Sequence, residues 1–320
     1  MPREHRILVT GASGFVGSWL LHELNRRLEL GVSLTVLTAG QSDASDWKTE
    51  IADREQVATL VRDCRPTAVI HLAAIAAPGD ARKMPQRAWD VNFQGTMNLA
   101  YAVMEHAPEA RFVFVGSSEA YGASFIDAGK VPIKESAALR PMSVYGATKA
   151  AADVLVGQLA YDGLKAIRFR PFNHTGPGQT ADYVVPAFAR QLAEITSGTR
   201  VPPISVGNLS AYRDFLDVRD VVRAYADAAL NEVISGVFGG VFNLSSGRPV
   251  QVQSILDMLI ELSGADVEIE VDPKRLRGSE IAVAAGDNKA AFEALGWKPE
   301  IDLHQTLADV LEDWKAKVVR

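Results

Sequence analysis

The stretch RILVTGASGFVG, residues 6–17, decides the fold. Its first half, residues 6–10, is an apolar run of strand length that leads directly into three glycines with G-x-x-G-x-x-G spacing. An amphipathic pattern over 18–30, closed by Gly31, predicts a helix after these glycines. Glycines let the backbone turn tightly and approach a pyrophosphate, and a helix N-terminus offers N–H groups and a positive dipole end. The stretch therefore predicts a strand, a phosphate-binding loop and a helix.

The alternation of strands and helices continues along the first half of the chain. The strand-like runs are 34–37, 68–72, 111–115 and 165–169, and the longest helix-like stretches are 89–106 and 145–159. Strands that alternate with helices at this spacing form parallel sheets with helices on both faces. The sequence therefore predicts an α/β fold, a doubly wound parallel sheet of the Rossmann type.

The alternation changes after Pro171, where a polar, Gly- and Pro-rich segment precedes a predicted helix. We expect two late strands, 216–218 and 241–244, to return to the main sheet. The predicted elements after them are a helix from 251, a strand at 267–271 and a last helix. The predicted division is a dinucleotide-binding domain of residues 1–172, completed by about 214–246, and a smaller substrate-binding lobe of residues 173–213 and 247–320.

Composition narrows the possible functions. The chain has 320 residues and a net charge of −6, so no basic surface points to nucleic acid or to an anionic membrane. The single Cys64 excludes a disulfide framework and a cysteine-based metal cluster, and we predict no metal site. No apolar run approaches the ~20 residues of a membrane span, and no leader precedes the first strand, so we expect a cytoplasmic protein without membrane contact.

Three polar residues form a candidate catalytic group. Tyr145 and Lys149 lie four residues apart on a predicted helix, so their side chains leave the same face. A phenol has a pKa near ~10, and a nearby ammonium favours its anion. The hydroxyl of Ser117, held opposite, would complete a site for one carbonyl or alcohol oxygen. This combination predicts acid–base chemistry at such an oxygen.

The end of the second strand bears on the choice of cofactor. Residues 38–42, TAGQS, contain neither the acid that usually binds the adenosine ribose of NAD nor an arginine. Without that carboxylate a 2′-phosphate is tolerated, so we expect a slight preference for NADP(H), with NAD(H) left open. The carboxylate of Asp53 could accept from the adenine amine or could cap the next helix, and one residue can do both.

Together these motifs resemble the extended short-chain dehydrogenase/reductase family, whose members act mostly on nucleotide sugars. The resemblance implies that Tyr145 is the acid–base group and that Ser117 binds the substrate oxygen. It implies that Lys149 binds the nicotinamide ribose and lowers the pKa of Tyr145, and that Asn92 braces the active-site helix. The implied cofactor-binding residues are Gly11, Ser13, Gly14, Phe15, Val16, Gly17, Asp53, Leu72, Ala73, Ala74, Asn92, Tyr145, Lys149, Phe172 and His174.

Three further motifs resemble members that act on GDP-linked sugars: RPFNHTGPGQ at 170–179, GNLSAYRDF at 207–215 and DPKRLRGSE at 272–280. The implied substrate is a GDP-linked 6-deoxy-4-keto sugar whose C4 ketone is reduced. Guanidinium groups suit its diphosphate because they bind phosphate oxygens in pairs. The implied substrate-binding residues are Ser117, Ser118, Asn173, Gln179, Arg213, Arg277 and Glu280.

Glu119 keeps a second reaction open. GDP-mannose 4,6-dehydratases carry a glutamate at the matching position, where it removes the C5 proton, and Glu119 would then be catalytic. The alternative is a hydrogen bond that orders the loop or a sugar hydroxyl. Residues 38–42, the GPGQ segment at 176–179 and the chain length differ from the dehydratases and favour the reductase interpretation. Nucleotide-sugar epimerases share the same Tyr and Lys.

Two further interpretations concern whether the chain is catalytic and whether it forms a dimer. A non-catalytic nucleotide sensor on this fold typically lacks the Tyr or the Lys, whereas this chain keeps both together with Ser117. Family members commonly dimerise by packing two helices per subunit, here 89–106 and 145–159, into a four-helix bundle, which implies a homodimer. The small residues of the second helix could equally pack on their own sheet.

Overall fold

The fold is built on a seven-stranded parallel sheet in a computed structural model that describes residues 4–231, 236–275 and 281–318. The strands are β1 (His5–Thr10), β2 (Leu34–Gly40), β3 (Trp47–Lys48), β4 (Ala68–His71), β5 (Arg111–Val115), β6 (Lys165–Pro171) and β11 (Val241–Leu244). Their spatial order is β11-β6-β5-β4-β1-β2-β3, with every neighbour parallel. The order reverses at β1, which lies between β2 and β4. This arrangement confirms the predicted doubly wound sheet.

Side chains of the strands point alternately to the two faces of the sheet, and each face carries helices. Ile7 and Val9 of β1 pack with α1 (Phe15–Glu29) and α9 (Val218–Leu230). Leu8, between them, belongs to the opposite core. The helices of that second face are α2 (Arg54–Cys64), α5 (Gly95–His106) and α7 (Val144–Tyr161). Cys64 is buried at the end of α2, as expected of a packed thiol.

The long helix predicted over 89–106 is divided in the structure. It comprises α4 (Pro85–Trp89), a π-helical turn (Asp90–Gln94) and α5. The π turn contains Asn92, which points to the active site described below. Short helices α3 (Pro78–Lys83) and α6 (Ser124–Ala128) occur in the connections that follow β4 and β5.

A separate hydrophobic core forms the smaller lobe. Its helices are α8 (Val184–Thr196), α10 (Val252–Ser263) and α12 (Leu303–Val318), and α11 (Lys289–Leu295) packs on the main domain instead. Its short strands are β8 (Ile204–Val206), β9 (Tyr212–Arg213), β12 (Val250–Gln251), β13 (Ile269–Val271) and β14 (Val283–Ala284). Strand β9 lies between β12 and β14, and β13 pairs with β8. The domain boundaries stay a prediction.

One of the two late strands does not return to the main sheet. Residues 241–244 form β11 beside β6, as predicted. Strand β10 (Phe215–Asp217) instead pairs with β7 (Asn173–Thr175) in a sheet of two strands. The carboxylate of Asp217 accepts from the N–H of Arg219 and caps α9, so the chain turns into a helix at this point. Within the described residues, no helix has the length and apolar character needed to cross a bilayer.

Candidate active site

The glycine loop between β1 and α1 has the shape of a phosphate cradle. Gly11 has a φ of +75°, and a Cβ at this position would lie 2.6 Å from the nitrogen of Ala73. A Cβ on Gly17 would lie 2.5 Å from the carbonyl oxygen of Gly11. Helix α1 begins after Gly14, which provides no side-chain cap for the first N–H groups. The loop therefore fits the pyrophosphate of a dinucleotide, because both its close backbone and its uncapped N–H groups suit an anion.

The catalytic group assembles where β5 ends and α7 begins. Tyr145 is in the first turn of α7, and Ser117 follows β5 with only 8% of its surface exposed. Gly146 lets the start of α7 lie close to the segment after β5, because a Cβ at this position would lie 2.6 Å from the carbonyl oxygen of Glu119. Burial raises the pKa of Tyr145, and a hydrogen bond with Ser117 acts in the opposite direction. The phenol therefore keeps its proton at neutral pH, and because burial by itself makes it a weaker acid, proton donation requires a partner that stabilises the phenolate.

Lys149 is buried one turn along α7 from Tyr145. Its Nζ donates to the carbonyl oxygen of Val115 at 2.8 Å. Burial lowers the pKa of Lys149 to about 8. The buried His71 faces the same region, and its pKa falls to about 3 because of burial and the charge of Lys149. That Lys149 lowers the pKa of Tyr145 stays a prediction for the enzyme with cofactor bound.

Two buried contacts fix α7 against the sheet. Asn92 accepts from the N–H of Ile75 at 2.8 Å and donates to Thr148 Oγ1 at 3.0 Å, so it connects the end of β4 to the active-site helix. Asp153 lies four residues after Lys149 and takes a bidentate ion pair from Arg170, with bonds of 2.9 and 2.8 Å. We did not assign Asp153 from the sequence. Its signal is a lone carboxylate in the apolar stretch KAAADVLV, residues 149–156.

Glu119 lies in the short 3₁₀ turn after Ser117, and its side chain contacts the N-terminal cap of α7. Ser143 caps α7 by accepting from the N–H of Gly146 at 2.9 Å, and its hydroxyl donates to the carboxylate of Glu119 at 3.2 Å. Glu119 itself is exposed. This contact agrees with the interpretation in which Glu119 orders the loop.

The remaining predicted cofactor residues are those around the glycine loop and Asp53 at the start of α2. Ser13 is exposed in the glycine loop, while Phe15, Val16, Leu72, Ala73 and Ala74 are half-buried around it. Asp53 caps α2 by accepting from the N–H groups of Glu55 and Gln56 at 3.0 and 3.1 Å, which confirms the capping interpretation.

Phe172 stays a predicted cofactor residue, and its packing limits how it could make that contact. Its side chain is 2% exposed and packs edge-on against Phe125 beside Tyr121, so it belongs to a hydrophobic core. A cofactor contact by this residue would have to come from its main chain. The neighbouring His174 is half-buried, its Nδ1 lies 2.9 Å from the oxygen of Phe172, and burial lowers its pKa. His174 is therefore neutral at physiological pH.

Gln179 stays a predicted substrate residue, although its polar atoms already have partners within the protein. Its amide oxygen accepts from Thr175 at 2.7 Å and its amide nitrogen donates to the oxygen of His174 at 3.2 Å. The side chain is buried and closes the loop after β7, so its polar atoms are used within the protein. Ser118 begins a short 3₁₀ turn after Ser117, and Asn173 is exposed at the start of β7.

Of the two arginines predicted for the diphosphate, Arg213 lies within the described residues. Arg213 is in β9, and its Nη1 donates to the oxygens of Tyr212 and Ile281, both at 2.8 Å. Ile281 follows the segment that carries the other two predicted residues. Arg277 and Glu280 themselves lie outside the described residues.

Comparison with known proteins places this geometry in a family. The family model described as GDP-mannose 4,6 dehydratase matches residues 8–310. A GDP-6-deoxy-D-mannose reductase of Pseudomonas aeruginosa is 32% identical over 98% of both chains. The structure of RMD from the same organism, complexed with NADPH, superposes with a TM-score of 0.85 at 30% identity and covers 98% of this chain and 99% of that one.

A UDP-glucose 4-epimerase of Stenotrophomonas maltophila, with bound NAD and formylated UDP-arabinopyranose, has a TM-score of 0.82 at 25% identity. It covers 98% of this chain and 99% of its own. Relatives with different reactions thus share the whole length of the fold. The chain belongs to the GDP-mannose 4,6-dehydratase family, within the extended short-chain dehydrogenases/reductases, which are NAD(P)-dependent enzymes of nucleotide-sugar chemistry.

Proposed function

We propose that this protein is a GDP-6-deoxy-D-mannose reductase, which reduces the C4 ketone of GDP-4-keto-6-deoxy-D-mannose to give GDP-D-rhamnose. Tyr145, Ser117 and the buried Lys149 supply a site for carbonyl–alcohol chemistry, and the observation that carries the reductase proposal is the 32% identity to a GDP-6-deoxy-D-mannose reductase over 98% of the chain. The similarity to the reductase of Pseudomonas aeruginosa along 98% of the chain supports the substrate. The reaction would be the step of GDP-rhamnose biosynthesis that forms GDP-D-rhamnose.

The side chains serve one reduction. The residues of the glycine loop would hold the pyrophosphate of the cofactor, whose nicotinamide would supply a hydride, and with it both electrons, to the sugar C4. The phenol of Tyr145 donates its proton to the C4 oxygen, so the ketone becomes an alcohol and the phenol becomes a phenolate. Ser117 donates a hydrogen bond to the same oxygen as negative charge develops on it. The ammonium of Lys149 stabilises the phenolate until solvent returns the proton.

The second candidate is a GDP-mannose 4,6-dehydratase, which the matching family model favours. In that reaction Glu119 would remove the C5 proton. The contact between Glu119 and Ser143 gives this carboxylate a loop-ordering role that involves no proton removal, which is the role that the reductase interpretation expects. The same fold also hosts epimerases, whose reaction leaves the cofactor unchanged overall.

One assay separates these reactions. Purified protein is mixed with reduced nicotinamide cofactor and GDP-4-keto-6-deoxy-D-mannose, and cofactor oxidation is followed by its absorbance. The reductase consumes one cofactor per sugar. Conversion of GDP-mannose with no net cofactor use would instead identify a dehydratase, and no reaction with either sugar would leave a nucleotide sensor as the remaining interpretation.

The assembly is part of the proposal. We propose a homodimer formed by the outer faces of α5 and α7, where Tyr101 is 48% exposed and Val154 is 61% exposed. Ala150, in contrast, is buried within its own subunit. Light scattering should give twice the chain mass, and Val154→Glu should shift the protein to a monomer because it introduces a charge into an apolar contact. A cytoplasmic location stays a prediction.

The cofactor is NADPH or NADH, since relatives of known structure bind one or the other. The preference for NADP(H) rests only on the missing acid at 38–42. A contact made by Asp46 bears directly on that preference.

A further inference from the structure

An acid does lie beside the end of β2, although residues 38–42 contain none. It is Asp46, which the chain brings next to Thr38 after the turn that follows β2. Its Oδ2 accepts from the N–H and from the Oγ1 of Thr38, both at 2.8 Å. The N–H of Asp46 in turn donates to Thr38 Oγ1 at 3.0 Å. Two hydrogen bonds to the carboxylate and one from the backbone N–H therefore hold Asp46 beside the carboxyl end of β2.

The short strand β3 explains why Asp46 lies there. Trp47 and Lys48 pair in parallel register with Ala39 and Gly40, which places the preceding Asp46 opposite Thr38. Ser42 tightens the connecting turn, because its Oγ accepts from the N–H of Ala44 at 3.2 Å. The carboxylate position is thus set by sheet pairing rather than by sequence order.

Thr38, which holds this carboxylate, lies near the carboxyl end of β2, beside the glycine loop. Thr38 pairs with Val9 of β1, and the N–H of Gly11 donates to the oxygen of Ala39 at 3.3 Å. The glycine loop and the end of β2 are therefore adjacent. In dinucleotide-binding folds the group at this strand end faces the adenosine ribose, where an acid favours NAD and an arginine favours NADP.

We propose that Asp46 binds the ribose hydroxyls of the adenosine and excludes a 2′-phosphate, so that this enzyme uses NADH in preference to NADPH. The inference rests on the proposed use of a nicotinamide cofactor, and it reverses the preference suggested by residues 38–42. The only lysine of the connecting turn and β3, Lys48, is ion-paired with Asp43 at 2.7 Å. That lysine is therefore already engaged by a carboxylate of its own turn.

The chemistry of the contact is local. One carboxylate oxygen is committed to Thr38, and the other can accept from the 2′- and 3′-hydroxyls of a ribose. A 2′-phosphate at the same place brings up to two negative charges beside Asp46. Repulsion at hydrogen-bonding range in a solvated site is expected to cost NADPH about tenfold or more in affinity.

Equilibrium binding tests this without any sugar, so the result is independent of the proposed reaction. The dissociation constants for NADH and NADPH are measured by fluorescence titration with wild type, Asp46→Asn and Asp63→Asn. The Asn side chain at position 46 keeps an acceptor for Thr38 but has no charge. Asp63→Asn is the matched control, since it removes the same charge from a surface aspartate of α2 that pairs with Arg62 and touches neither Thr38 nor Lys48.

Wild type is expected to bind NADH at least about tenfold more tightly than NADPH. Asp46→Asn should tighten NADPH by a similar factor, and Asp63→Asn should leave the ratio unchanged. In competition, AMP should displace NADH from wild type more effectively than 2′-phosphorylated AMP, and Asp46→Asn should remove that difference. A wild-type preference for NADPH would overturn the inference, as would an Asp46→Asn protein that still binds NADH but keeps the wild-type ratio.

Discussion

The two ends of the cofactor cleft are held in different ways. At the nicotinamide end, Lys149 and Asp153 of α7 are buried and bonded to the central sheet. At the adenosine end, Asp46 and Thr38 form exposed hydrogen bonds between a surface turn and the edge of the same sheet. The lysine proposed for the reaction is thus anchored in the core, whereas the carboxylate proposed to select the cofactor is on the surface. Reaction and selectivity can therefore change independently in this fold.

The largest effect should come from the phenol itself. Tyr145→Phe removes the proton donor but keeps the ring, and turnover should fall by about 10²–10⁴-fold. Cofactor binding should change little, because the glycine loop is untouched. Steady-state assays and fluorescence titration of the same preparation measure both quantities. Near-normal turnover would remove Tyr145 from the mechanism.

Breaking the support behind α7 should destabilise the whole protein. Asp153→Ala leaves the guanidinium of Arg170 buried without its carboxylate, which typically costs about 3–5 kcal/mol. Arg190→Ala is the control, since its ion pair with Glu194 is on the surface and should contribute less than about 1 kcal/mol. Urea unfolding gives both values. Equal losses in the two variants would show that the buried network does not hold the helix.

The buried ammonium should make stability depend on pH. Burial lowers the pKa of Lys149 to about 8, whereas an unfolded lysine titrates near ~10.4. Above about pH 8 the unfolded chain binds more protons than the folded one, so the free energy of unfolding rises with pH. The gain between about pH 8 and 9 should be roughly 1 kcal/mol relative to Lys149→Met. An identical pH profile in both proteins would contradict the shifted pKa.

The smallest effect is expected at Glu119. Glu119→Gln keeps an acceptor for Ser143, so reduction of the 4-keto sugar should fall by less than about threefold. A general base in a dehydratase would instead lose about 10²-fold or more on the same change. Rate measurements with the 4-keto sugar and with GDP-mannose distinguish these outcomes.

The sequence was sufficient wherever a pattern is local. Residues 6–17 predicted β1, the glycine loop and α1, because strand length, glycine spacing and helix periodicity are all contained in neighbouring residues. The strand at 216–218 was placed in the wrong sheet. Its partner is β7 rather than a strand of the main sheet, and Asp217 turns the chain into α9 directly after this pairing.

Contacts between distant residues could not be predicted in the same way. Asp46 reaches Thr38 because β3 adds a strand at the sheet edge, and two residues of strand give too weak a periodic signal to detect. Phe172 was assigned to the cofactor from its motif, although its packing with Phe125 is visible only in the folded chain. Motifs thus located the cleft, while packing decided which side chains face it.

The central claim is that a hydride passes from a nicotinamide to the C4 carbon of a GDP-linked keto sugar at Tyr145. Reduced cofactor carrying deuterium at the transferable position, mixed with GDP-4-keto-6-deoxy-D-mannose, tests it by NMR of the sugar product. We predict one deuterium at C4 of GDP-D-rhamnose per cofactor oxidised, and none with Tyr145→Phe in the same reaction time. Sugar product without deuterium at C4, or a cofactor that is not consumed, would contradict the account.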